Sequence, residues 1–178
     1  MTMGGGPGHE VVGEAVEIVD DHGTVLGVMS RANMRAHNLR HRSVVIAVLW
    51  EGAVLAHQRA DWKDLCPGWW DLAFGGCVRV GEPWLDAAVR ELGEESGVVV
   101  APGDLVPLGR ELFDGSRSRL VAERYVVHSA GPFTCPDGEV AALEWVPLSV
   151  LPGWLANHLL MEDTAELILP LLQSGQLR

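Results

Sequence analysis

The sequence predicts an α/β fold in which a mixed β-sheet is sandwiched between helices. Three observations carry that expectation. The elements run strands, one long helix, strands and then helix, an order that suits a layered α/β/α arrangement. Ser43 to Trp50 is rich in Val and Ile and reads as a buried strand. Pro83 suits the first turn of a helix and Gly97 the left-handed residue just past its end, so residues 83–96 read as a helix with one apolar arc. A length of 178 residues favours one domain, and 48% apolar residues suffice for a core.

The elements follow in order. Residues 1–12 are glycine-rich and expected to be disordered, and 13–178 form a single domain. Within it, 13–41 hold a hairpin and a short helix. Glu14 to Val19 and Thr24 to Val28 are strands, joined through Asp20-Asp21-His22-Gly23. Ser30 caps a helix over Arg31 to His37. Residues 42–150 are the core. There, Ser43 to Trp50 turns at Glu51-Gly52 into a second strand, Ala53 to Gln58. A loop from Asp61 to Gly68 leads to a strand over Trp69 to Phe74, then to Gly75-Gly76. After the helix come strands at Leu105 to Phe113, Arg119 to His128 and Ala142 to Val146, with a loop at Pro132 to Gly138. Residues 151–178 are helical; Ser149 or Asp163 supplies a cap, and Pro170 shortens the last helix.

The long helix is also acidic. Glu91, Glu94 and Glu95 fall within about 100° of arc, and Leu85, Ala88, Val89 and Leu92 occupy the adjoining one. Like charges at this spacing repel by about 0.2–0.5 kcal/mol per pair. Glu94 and Glu95 also face the negative end of the helix dipole, and Gly93 weakens the helix by about 1 kcal/mol relative to alanine. A bound cation turns that repulsion to use. The side-chain donors are all oxygens, so a hard ion, Mg2+ or Mn2+, is favoured.

Residues 76–98, GCVRVGEPWLDAAVRELGEESGV, fit the pattern G-x5-E-x7-R-E-U-x-E-E-x-G-U, with U a bulky apolar residue. The fixed positions are Gly76, Glu82, Arg90, Glu91, Leu92, Glu94, Glu95, Gly97 and Val98. Chance odds of such a match are on the order of one in ten million at average residue frequencies. The segment resembles the signature of the Nudix hydrolases, and the resemblance spans roughly Arg42 to Val150. It implies the Nudix fold and a metal-dependent pyrophosphohydrolase cleaving a diphosphate linkage in a small nucleoside-diphosphate-type compound. It further implies that Glu91, Glu94, Glu95 and the Gly76 carbonyl bind metal, and that Glu82 pairs with Arg90 to hold the loop against the helix. Glu is a poor helix cap, which separately suggests another task for Glu82.

A finer resemblance is to isopentenyl-diphosphate isomerase, built on the same fold. It rests on the N-terminal hairpin and helix, on His37, His41 and Arg42, and on Gln58-Arg59, Lys63 and Pro67-Gly68-Trp69. It implies diphosphate contact by Arg59 and Lys63, and places the chain in an isomerase-like branch. Phe74 stands where related hydrolases often carry proline before the glycines. Isomerase chemistry itself, the second reading, needs a cysteine and a histidine where this chain has Gly75 and Cys77. A third reading is a non-catalytic nucleotide-binding module, which usually has a degraded signature; here the signature is complete.

The candidate substrate-contacting residues are Arg59, Lys63, Trp69, Gly75 and Glu123. Trp69 or Trp70 can stack on a planar group or pack in the core. Glu139 on the loop, Glu123 on a strand, or a helix glutamate are candidates for the general base. His37 and His41 sit among Arg31, Arg35, Arg40 and Arg42. The histidines read as structural rather than as ligands, and the arginines as a solvated helix face rather than an anion site. Cys77 reads as structural, because nearby carboxylates disfavour a thiolate.

A net charge of −11 argues against a nucleic-acid polymer as partner, but not against a small phosphorylated substrate. The longest apolar run, Val44 to Trp50, is too short to cross a bilayer, so no membrane partner is expected. No leader opens the chain, and Cys66, Cys77 and Cys135 form no C-x-x-C pair; reduced thiols and a cytoplasmic location are expected. A homodimer is compatible with this reading.

Overall fold

The structure is a computed structural model and describes residues 14–177. The expected disordered segment, 1–12, lies outside the described residues. The chain opens with β1 (Ala15–Val19) and β2 (Val25–Ser30), an antiparallel hairpin. Asp20 holds the turn, its Oδ1 accepting from the backbone N–H groups of His22 and Thr24 at 2.9 and 2.8 Å. Ser30 caps α1 (Arg31–Ala36) by accepting from the Asn33 N–H. Then come β3 (Arg40–Trp50) and β4 (Ala53–Arg59), joined by Glu51 and Gly52, both at positive φ as a two-residue hairpin turn requires.

Next are β5 (Trp70–Asp71), β6 (Phe74–Cys77) and α2 (Trp84–Ser96). Beyond a short 3-10 turn lie β7 (Val106–Asp114), β8 (Arg119–His128) and β9 (Val140–Pro147). The chain ends in α3 (Leu151–Leu155), α4 (Glu162–Leu167) and α5 (Leu169–Ser174).

The strands form one mixed sheet. β3 is its spine, parallel to β8 along its whole length and antiparallel to β6, β4 and β1. β7 lies outside β8, and β9 and β5 flank β4. The uninterrupted apolar run of β3 follows from burial on both faces. Val44, Ile46 and Val48 pack with Ala87, Ala88 and Leu92 of α2. Val45, Ala47 and Leu49 pack with Leu151, Leu167 and Leu172 from the C-terminal helices. The sheet is thus sandwiched between α2 and α3–α5.

Three local expectations need correction. The strand expected over Trp69 to Phe74 is two strands, and the glycine pair lies inside the second rather than after it. Gly75 permits this by close approach: a Cβ there would lie 2.0 Å from the Val44 carbonyl oxygen. Neither Ser149 nor Asp163 is a helix cap; Val150 and Met161 occupy those positions, and Asp163 sits in the first turn of α4. Pro83 is itself the N-cap residue of α2, with φ −64° and ψ 145°, while Gly97 ends the helix at φ 76°. Pro170 stands in the first turn of α5, where the chain breaks from α4. No helix among the described residues is long and apolar enough to cross a membrane.

Candidate active site

β6 and α2 meet face to face. Gly75 N–H donates to Glu95 Oε2 at 3.1 Å, tying the last helical turn to the sheet. Gly76 lies under Glu91, so closely that a Cβ there would be 2.5 Å from Glu91 Oε2. The Gly76 carbonyl accepts from Ser43 Oγ at 3.0 Å. One glycine therefore admits the strand to the sheet, and the next admits a carboxylate to the strand.

Arg90 organises the entrance. Its Nε and Nη2 donate to the two oxygens of Glu82 at 2.8 and 2.7 Å, the bidentate geometry that suits guanidinium and carboxylate. Its Nη1 reaches Glu91 at 2.6 Å and Glu94 at 3.2 Å, and Nη2 also reaches the Cys77 carbonyl. Glu82 accepts the Arg79 N–H as well. Its carboxyl is held below the ordinary range, chiefly by the hydrogen bonds from Arg90. Glu17, which the sequence reading did not single out, braces the same loop. It pairs with Arg42 at 2.7 Å and accepts the Gly81 N–H at 3.0 Å. Nothing in its local sequence marks that role, which depends on β1 lying beside β3.

The helix carboxyls are electrostatically crowded. Burial pushes the Glu91 carboxyl up, against Arg90 and together with Glu94. Burial and the Glu91 charge push Glu95 up to about 8, although the Gly75 N–H favours its anion. A hard divalent cation fits this donor set. Every donor is a carboxylate or carbonyl oxygen, and the repulsion between neighbours is what a cation relieves. Among the described residues, no three acid, histidine or cysteine side chains already converge as a metal cage. In this structure Arg90 engages Glu91 and Glu94, and Gly75 engages Glu95.

These groups line one cleft of about 610 Å³, within the size range of small-molecule sites. Arg59, Lys63 and Glu139 line it too. Arg59 Nε donates to the Leu65 carbonyl, which shapes the 61–68 loop, and Lys63 Nζ is paired with Glu139. Asp71, absent from the sequence reading, and Asp163, read there only as a helix cap, complete this wall with Thr164, whose hydroxyl bonds Asp71. Burial raises both carboxyls, that of Asp163 to about 6.

Glu82, Glu123, Trp69, Trp70 and His37 fall outside the cleft lining, whereas His41 and Cys77 are part of it. Glu82 stands behind Arg90. Glu123 is paired with Arg110 across β7 and β8. Trp69 lies under the Arg117 guanidinium, 5.5 Å from its ring centre. Trp70 packs edge-on against Trp154. The histidines act locally: His37 Nδ1 meets the Asn33 carbonyl, and His41 Nδ1 meets that of Leu39. Cys77 is buried, and burial raises its thiol. The four arginines near the histidines are not one solvated face. Arg40 is buried against Asp114 and Asp21, Arg42 is paired with Glu17, and Arg31 and Arg35 line the cleft.

Comparison with known proteins is consistent with this arrangement. Residues 39–168 match the family model described as NUDIX domain. The uncharacterized Nudix hydrolase YfcD of Escherichia coli is 34% identical over 134 residues, covering 75% of this chain and 73% of its own. An uncharacterized Nudix hydrolase of Streptomyces coelicolor is 32% identical over 154 residues, covering 84% of this chain and 83% of its own. Among solved structures, DR0079 from Deinococcus radiodurans superposes with a TM-score of 0.69 at 23% identity, covering 86% of this chain and 96% of that one.

Proposed function

The chain belongs to the Nudix hydrolase family, and from that premise we propose that its cleft hydrolyses the diphosphate linkage of a small nucleoside-diphosphate-type compound with Mg2+ or Mn2+. The observation that carries this reading is the meeting, in one cleft, of a three-carboxylate helix turn with Arg59 and Lys63. Hydrolysis of an acid anhydride is the family chemistry; the metal and the substrate class are the proposal.

Glu91, Glu94, Glu95 and the Gly76 carbonyl would hold the metal. When bound, a divalent ion offsets phosphate charge and makes water a better nucleophile. The chain's own groups do the rest. Arg59 and Lys63 bring cationic donors to the opposite wall, where they orient the diphosphate for in-line attack. Glu139, with one oxygen held by Lys63, takes the proton of the attacking water on the other. Glu82 acts through Arg90: the bidentate pair fixes the guanidinium, and the guanidinium sets the positions of Glu91 and Glu94. Ser43 orients the Gly76 carbonyl.

An isomerase would need an acid–base cysteine where Gly75 stands, which has no side chain, and a metal-ligand histidine where Cys77 stands, whose thiol is buried. The deciding experiment is a panel of nucleotide sugars, dinucleotides and dinucleotide polyphosphates with Mg2+ or Mn2+, followed by product identification. Metal-dependent appearance of two phosphate-terminated products is expected. Nucleotide binding with no cleavage across the panel would replace the hydrolase reading with that of a sensing module.

A further inference from the structure

One end of the cleft is cationic, and it begins beside the carboxylates, where Arg31 interacts with Glu91. There α1 contributes Arg31 and Arg35, the turn that follows it contributes Asn38, and the turn between β7 and β8 contributes Arg117 and Ser118. The two segments are stapled together, because Asn38 Nδ2 donates to the carbonyls of Gly115 and Ser116 at 3.1 and 3.3 Å. The 61–68 loop joins them: Arg35 lies 3.5 Å from Asp64, and Arg117 Nη1 is 3.1 Å from Cys66 Sγ. Three chain segments distant in sequence therefore wall in this end.

Its polar groups are incompletely satisfied. Arg117 has no carboxylate partner among the described residues; it rests on the Trp69 ring and a thiol, contacts that fix the guanidinium without neutralising it. Arg31 gives Nη1 to Glu14 at 3.0 Å, yet its buried Nε has no partner. The buried Asn38 Oδ1 has none either. In a chain of net charge −11, three guanidinium groups lining one end of a cleft are a local reversal of sign. Arginine is also the side chain whose planar fork matches phosphate oxygens.

We propose that Arg31, Arg35 and Arg117 form a second anion subsite, which takes a phosphate monoester carried by the substrate beyond its diphosphate. This rests on the hydrolase reading for the position of the diphosphate, but the subsite can be tested without catalysis. Calorimetry would compare AMP with adenosine 2′,5′-bisphosphate and adenosine 3′,5′-bisphosphate on the full chain. At least one bisphosphate should bind ten-fold or more tightly than AMP. Arg117→Gln should bring that ratio close to one, and Arg117→Lys should keep part of it. Arg117 is exposed on a turn, so unchanged thermal melting is expected to accompany the loss.

Equal affinity for AMP and both bisphosphates, no binding by any of them, or a ratio that Arg117→Gln leaves intact would each overturn the subsite. Hydrolysis separates the two readings. If the panel is cleaved while the ratio is one, the subsite alone falls. If the ratio holds while no diphosphate is cleaved, the hydrolase reading alone falls.

Discussion

Glu95 carries opposing demands. It belongs to a helix that must pack on the sheet, and burial together with Glu91 opposes its charge. The sign of the cost follows from its carboxyl being raised from 4.5 to about 8. In the metal-free protein this group's contribution to stability is most favourable below about pH 4.5 and declines as pH rises towards about 8. Glu95→Gln should therefore melt at or above the wild-type temperature without metal, with the advantage growing from pH 5 to pH 8. The same variant should lose metal-dependent hydrolysis by orders of magnitude. A melting difference independent of pH would contradict the assigned electrostatics, and normal turnover would contradict the assigned role. Glu95 was legible in the sequence because its spacing from Glu91 puts both on one helical face. Glu17 was not, because a lone glutamate in a strand says nothing about the loop it will brace.

The unit formed by β6 and α2 shows what two adjacent glycines do. At Gly75 a Cβ would meet backbone, the Val44 carbonyl oxygen at 2.0 Å. At Gly76 it would meet the end of a side chain, the Glu91 carboxylate at 2.5 Å. A backbone cannot step aside, whereas a glutamate can change rotamer. Gly75→Ala should thus destabilise the fold by several kcal/mol, in the manner of other severe steric strains, and lower the denaturation midpoint sharply. Gly76→Ala should fold with a modest loss, yet bind Mg2+ or Mn2+ more weakly by calorimetry because Glu91 is displaced. Similar stability losses in the two variants would reject this division of labour. The sequence marked both glycines as important but placed them after a strand. Their place inside a strand depends on pairing with β3, which no local pattern encodes.

At the scale of the molecule, charge of both signs is gathered into one cleft. More than half of the lysines and arginines line a single cleft, although the chain as a whole is acidic. Interior histidines add a global pH dependence. His57 is buried, stacked on Phe74 at 4.5 Å, and burial lowers it to about 3; His41 is lowered by burial to about 4. A lowered base binds fewer protons folded than unfolded. Its contribution is therefore intact above about pH 6.5 and is lost as pH falls towards the folded values. Relative to His57→Gln, the wild type should lose on the order of 1 kcal/mol of stability per pH unit between pH 6 and pH 4. Urea unfolding of both proteins across that range measures it, and parallel profiles would show that His57 does not titrate as its burial requires.

The sequence by itself determined the layered α/β/α class, the acidic helix and its glycine-bracketed signature. Those properties are written in local periodicity, capping residues and fixed spacing along one element. Only the tertiary structure decided which charges share the cleft. It buried Arg40, sent Arg31 and Arg35 to the cleft, and left Glu123 outside the lining. The physical reason is that a side chain's partners are set by strand order and register, which bring together residues far apart in the chain, and a linear pattern carries no record of those neighbours.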